Sequence, residues 1–127
     1  MRGPLLAIAA LLLAAAPASA RAQSAEATIL VQSSPLAGFQ FYQGKQLWDD
    51  MRVGDLLTLV RESANAHDSN AVRVEWRGHT LGYVPRRDNR AVARQLDSGG
   101  KIEARISRLT QHRNPWQRIE FEVFVRL

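Results

Sequence analysis

The chain contains no cysteine. Disulfides and thiolate metal sites are therefore excluded, and the redox state of its compartment is left open. Its three histidines, His67, His79 and His112, stand at neither H-x-x-x-H nor HExxH spacing. No zinc centre is expected from them. A Gly-rich phosphate loop is also missing, which excludes nucleotide hydrolysis by this chain. Neither a nucleophile elbow nor a paired-acid motif occurs. Carboxylates are too scattered to hold the divalent ions a nuclease needs. No cofactor is expected, and the chain reads as a binding module, not an enzyme.

Long apolar runs are absent except at the N-terminus. Arg2 precedes a continuous apolar stretch at 5–16, followed by Pro17-Ala18-Ser19-Ala20 and Ala20-Arg21-Ala22, two A-x-A cleavage sites. This is the pattern of a secretory signal. The run is short for a bilayer span, so a cleaved signal outranks an anchor. The expected organisation is a signal peptide over 1–22 and one domain over 23–127, exported to the periplasm or secreted, with no membrane span in the mature form. The domain has about a hundred residues, enough for one compact, monomeric unit. The whole chain carries 17 basic and 12 acidic side chains, a net +5; cleavage after Ala20 removes Arg2 and leaves 5 − 1 = +4. The excess is almost all arginine, which is compatible with phosphate partners.

From Glu26 onward the pattern is mainly β. Residues 27–32 form a short apolar strand, broken by Ser33-Ser34-Pro35, and 38–43 resume as an aromatic strand. Residues 44–51 place Leu47, Trp48 and Met51 at helical spacing. Residues 56–61 read as a strand buried on both faces. Val72, Val74 and Trp76 alternate with Arg73, Glu75 and Arg77, a half-buried strand. Arg77-Gly78-His79 turns the chain into a hairpin with 80–84. A helix follows Pro85, with Asp88 as candidate N-cap, Ala91, Val92, Ala93 and Leu96 on its apolar side, and Gly99-Gly100 ending it. Ile102, Ala104 and Ile106, then Ile119, Phe121, Val123 and Val125, define two last strands that pair with opposed charges outward. The fold class is mainly β: a small OB-like β-barrel of about six strands with one or two short helices.

Two groups carry candidate chemistry. In the loop Asn65-Ala66-His67-Asp68-Ser69-Asn70, Asp68 and Asn70 are suited to fixing a turn through their own backbone. Asp68 is equally suited to accept a hydrogen bond from a sugar hydroxyl, with His67 offering a flat face to a base. Arg86, Arg90 and Arg94 are spaced by four, with Arg87 beside them, and share one helix face. Such a row is either a solvated helix face opposite a core of Val92 and Leu96 or, placed near Tyr83, a set of phosphate contacts beside a stacking surface. Phe39, Phe41 and Tyr42 form an aromatic cluster; in a strand, Phe39 and Phe41 point one way and Gln40 and Tyr42 the other. Trp48 and Trp76 read as core, and Trp116 sits in a loop.

Gly38-Phe39-Gln40-Phe41-Tyr42, the stretch from Gly54 to Glu62, the N-x-H-D-x-N-A loop, Leu81-Gly82-Tyr83-Val84-Pro85 and Asn89-Arg90-Ala91 together resemble the HIRAN domain, most strongly over 37–124. The resemblance implies an OB-type barrel that captures the free 3′ end of single-stranded DNA. It implies that Asp68 meets the terminal hydroxyl. The mechanism expected on this resemblance stacks the bases on Tyr83, His67 and one of Phe41 or Tyr42, with Arg86 and Arg90 holding phosphates. The family's arginine before the aromatic rings is Gln40 here, and its tyrosine before the aspartate is His67. The alternative is an exported interaction module that uses the same groove for a peptide or an anionic envelope ligand.

Overall fold

The computed structural model describes residues 27–127 together with Gly3. The signal segment and its cleavage sites lie outside the described residues, Gly3 excepted. Among the described residues, no helix is long and apolar enough to cross a membrane.

Six antiparallel strands run in the order β1-β6-β5-β2-β3-β4. They are β1 (Thr28–Pro35), β2 (Leu56–Arg61), β3 (Val72–Trp76), β4 (His79–Tyr83), β5 (Ile102–Leu109) and β6 (Ile119–Arg126). Two α-helices, α1 (Gly44–Leu47) and α2 (Asn89–Asp97), and four 3₁₀ turns complete the elements among the described residues. This is the mainly β, OB-like arrangement of strands and short helices that the alternation predicts. The expected period-two strands bury one face each: Val72, Val74 and Trp76 from β3, Ala104 and Ile106 from β5, and Ile119, Phe121 and Val123 from β6. They meet Leu36, Phe39, Leu81 and Val92 in one core. Burying each such aliphatic or aromatic side chain contributes about 1.5–3 kcal/mol. The β3–β4 hairpin turns through Arg77 (φ 47) and Gly78 (φ 80), both left-handed, as a two-residue turn requires. Arg105 lies opposite Glu122, and Arg108 opposite Glu120, on β5 and β6.

The sheet is not closed by a continuous ladder. One isolated bridge spans the gap between β4 and the end of β1: Ala37 and Tyr83 exchange both backbone hydrogen bonds at 2.9 Å. The preceding residue, Leu36, still donates to Ile119 on β6 at 3.0 Å, so successive N–H groups point to opposite neighbours. The approach needs glycine at 82: a Cβ there would lie 2.2 Å from the Ala37 carbonyl oxygen.

Four local expectations fail. β1 runs through Ser33-Ser34-Pro35 without breaking, because β6 pairs with it along that length and the Ser34 side chain is held by Gln32. The aromatic stretch is not a strand. Gly38 is left-handed (φ 79) and starts a 3₁₀ turn over Phe39–Phe41. Strand alternation therefore does not apply: Phe39 is 2% exposed and Phe41 76%. Phe39 packs edge-on against Trp48, with ring centroids 5.8 Å apart. β2 is not buried on both faces; Leu56 is 61% exposed. That strand pairs with β5 only at Leu56 and Leu57, then with β3, so its first residue faces out at the crossover. Asp88 occupies the N-cap of α2 without making the capping bond. Its carboxylate instead accepts from Ser34, and its carbonyl from Gln32, which docks this turn onto β1.

Candidate functional site

The loop after β2 is built by side chains bonding local backbone. Asn65 Oδ1 accepts the N–H of His67 at 2.9 Å and of Asp68 at 3.2 Å. Asp68 Oδ1 accepts the Asn70 N–H at 2.9 Å, the self-fixing turn that its sequence suggests. Its other oxygen accepts from Asn89 Nδ2 at 2.7 Å. Asn89 is the first residue of α2 and only 2% exposed, so Asp68 is its buried amide's acceptor. A carboxylate offers about four lone-pair sites, and two are used here. The Asp68 side chain keeps 21% exposure, so acceptor capacity remains beside the exposed His67.

Arg86 closes the loop from the other side. Its guanidinium donates to the His67 carbonyl, and its Nε stands 3.8 Å from Asp68 Oδ2. It belongs to a 3₁₀ turn (Arg86–Asp88) that precedes α2, so the shared helix face expected for Arg86, Arg90 and Arg94 does not extend back to Arg86. The tighter 3₁₀ winding turns its side chain toward the loop. Arg90 and Arg94 are exposed on α2 itself, and neither side chain forms an ion pair or hydrogen bond with another described residue. Arg87 ion-pairs with Asp88 at 3.6 Å.

Tyr83, at the end of β4, packs against Tyr42 with centroids 5.8 Å apart and planes tilted by 55°. Its hydroxyl reaches Glu62, 2.9 Å from Oε1 and 3.0 Å from Oε2. Burial, then the hydrogen bond to this carboxylate and its charge, push the Tyr83 phenol up to about 12. For Glu62, partial burial pulls the carboxyl upward. Hydrogen bonds from Asn65, Arg73 and Tyr83, with the charge of Arg73, outweigh it and hold the group below its ordinary value.

His67, Asp68 and Arg86 are thus joined in one cluster and Tyr42 and Tyr83 in an adjacent one; Glu62 bonds Tyr83 directly and reaches the first cluster through Asn65. Phe41 lies on the exposed side of its turn and makes no ring pair with Tyr83. Trp116, in the 3₁₀ turn Pro115–Gln117, is exposed, and that turn packs against the one holding Phe41. Sequence reasoning left Glu62 and Asn89 without a role. A carboxylate closing an apolar strand just before a polar loop was the available signal for Glu62. The burial of Asn89 left none. No group of three His, Cys, Asp or Glu able to hold a metal ion occurs among the described residues.

The model of the HIRAN domain matches residues 29–127, which includes all but the first residue of the sheet. The chain belongs to the HIRAN family. This family is known as a nucleic-acid-binding module. A crystal structure of a Lactobacillus plantarum protein superposes with a TM-score of 0.70 at 26% identity, covering 80% of this chain and 97% of that one. The HIRAN domain of human HLTF gives 0.57 at 18% identity, covering 78% of each, a likeness of fold. No curated protein matches the sequence.

Proposed function

We propose that this HIRAN domain captures the free 3′ end of single-stranded DNA. The observation that carries the reading is Asp68. Asn70 and Asn89 hold its carboxylate rigid, yet it remains partly exposed beside His67 and Arg86. A fixed, ionised acceptor suits a terminal sugar hydroxyl, which can donate, and opposes a terminal phosphate, which is anionic. His67 and the Tyr42–Tyr83 pair offer faces for the last bases, and Phe41 extends that surface. Arg86 and Arg90 contact the backbone phosphates. The chain acts as an exported monomer after loss of its signal segment, so its DNA is incoming or extracellular.

The test is titration of the mature chain with labelled single strands that differ only in a 3′-hydroxyl or a 3′-phosphate. The hydroxyl end should bind more tightly by about tenfold or more, as a charge-assisted hydrogen bond of about 1.5–3 kcal/mol implies. Equal binding of both ends by a folded protein removes end capture. The groove then reads as an exported interaction module for a peptide or anionic envelope ligand.

A further inference from the structure

The hydroxyl of Tyr83 and the amide of Asn65 converge on one carboxylate. Glu62 Oε1 accepts from Asn65 Nδ2 at 3.0 Å and from Tyr83 at 2.9 Å. Its Oε2 accepts from the same hydroxyl and from the Arg73 guanidinium. Asn65 in turn uses its Oδ1 to fix the N–H groups of His67 and Asp68. The backbone repeats the tie, with Asn65 N–H donating to the Glu62 carbonyl at 3.1 Å. Arg73 is anchored on its far side by Glu75 at 2.9 Å, so it cannot swing away without breaking a second pair. A carboxylate held by three donors has little rotamer freedom, and each donor is oriented by it.

We propose that Glu62 is a positioning residue that sets the Tyr83 ring and the His67–Asp68 loop in one fixed relation. The aromatic face and the end-reading carboxylate are then presented together. The inference rests on the end-capture reading and deepens it. Glu62 itself meets no base. It acts through the Tyr83 hydroxyl and through Asn65. A platform that stacks by its face alone has no need of its phenol oxygen, which makes the hydroxyl the diagnostic atom. Removing it keeps the ring's area and its ring contact with Tyr42 and deletes the tie to Glu62 together with the hydroxyl's smaller interaction with Tyr42. Glutamine at 62 keeps the size of the side chain but replaces one acceptor with a donor. It cannot accept from Asn65, Arg73 and Tyr83 at once.

The experiment uses the mature chain and a single strand carrying 2-aminopurine at its 3′-terminal position. Affinity, terminal-base fluorescence and the ratio of 3′-hydroxyl to 3′-phosphate binding are read for wild type, Tyr83→Phe, Glu62→Gln and the double variant. Tyr83→Phe should weaken binding about three- to tenfold, the worth of one well-placed hydrogen bond, and partly relieve base quenching. Glu62→Gln should do the same and also lower the end-preference ratio, because it loosens the Asn65 tie. The double variant should be no weaker than Glu62→Gln within about twofold, since both changes break the same link. Should Glu62→Gln fail to fold, Tyr83→Phe alone decides, because it leaves the carboxylate with Asn65 and Arg73. If wild type binds the 3′-hydroxyl strand and Tyr83→Phe matches it in affinity and quenching, Glu62 positions nothing and the inference is overturned, with end capture intact. If wild type binds neither strand, end capture fails and this inference falls with it.

Discussion

Asp68→Ala should destabilise the domain more than its partly exposed position suggests. Two bonds are lost. The Asn70 N–H loses a turn partner worth about 0.5–1.5 kcal/mol, and water can replace part of it. The Asn89 amide, 2% exposed, loses the acceptor 2.7 Å away. Leaving such a donor buried without a partner costs about 1–3 kcal/mol. The sum is about 2–4 kcal/mol, a large share of the roughly 5–15 kcal/mol that holds a domain folded. For about a hundred residues this lowers Tm by roughly 10–25 °C. Asp68→Asn is not a rescue. Its amide can accept one of the two bonds, and its NH2 must then face another donor, so about 1–3 kcal/mol is still lost. A double-mutant cycle isolates the pair: Asn89→Ala should cost about 1–2 kcal/mol less in the Asp68→Ala background than in wild type. Urea unfolding followed by tryptophan fluorescence reads all four proteins, since Trp76 is buried in the core. Additive losses within about 0.3 kcal/mol would refute the claim that Asp68 is the acceptor for Asn89. End preference measured on the same proteins below their melting points separates this structural duty from the reading of a 3′-hydroxyl.

If Arg86 and Arg90 contact two or three phosphates, log affinity for single strands should fall with log salt at a slope of about −1.5 to −2. Each arginine-to-alanine change should remove about 0.7 from it; an unchanged slope would place that arginine off the path. Gly82→Ala sets a Cβ 2.2 Å from the Ala37 carbonyl and should cost about 1–3 kcal/mol or more in urea unfolding, with exposed hydrogen exchange at Ala37 and Tyr83. Glu62 is held below its ordinary value of 4.5, and Asp55, whose burial is outweighed by hydrogen bonds from the Arg52 N–H and Trp76 Nε1 and by the charges of Arg77 and Arg52, below 3.8, so the unfolded chain binds more protons near those values. Stability should therefore be full above about pH 4.5 and fall as pH drops through the lowered values, with Glu62→Gln flattening the loss. Tyr83 gives the opposite sign: its contribution should persist below pH 10 and vanish as pH rises toward about 12, which absorbance titration of wild type against Tyr83→Phe would check. Mass spectrometry of the exported protein should find a start near Ala20 to Gln23; an intact N-terminal segment on protein in the cytoplasm would refute the signal reading.

The β elements that could be read from the chain are those whose signal is local. Val72, Val74 and Trp76, or Ile102, Ala104 and Ile106, alternate because one face of each strand meets the core and the other meets water. Arg77-Gly78 and Gly99-Gly100 mark turns because left-handed backbone selects glycine or a tolerated neighbour. The HIRAN resemblance and the self-bonding Asp68–Asn70 turn were legible for the same reason, since each motif involved is a run of a few neighbouring residues. The aromatic stretch was misread because Phe39, Phe41 and Tyr42 fit a strand by propensity, while one left-handed residue, Gly38, sends the chain into a 3₁₀ turn instead. The arginine spacing misled similarly, since a period of four holds only inside one α-helix, and Arg86 stands before it. What tertiary packing alone could decide were the partners distant in sequence. Asp68 meets Asn89, Glu62 meets Tyr83, and Ala37 bridges to Tyr83. Polar pairs of this kind leave no periodicity in the chain. They form because burying an amide, a carboxylate or a backbone N–H without a partner costs more than the ordering needed to bring one.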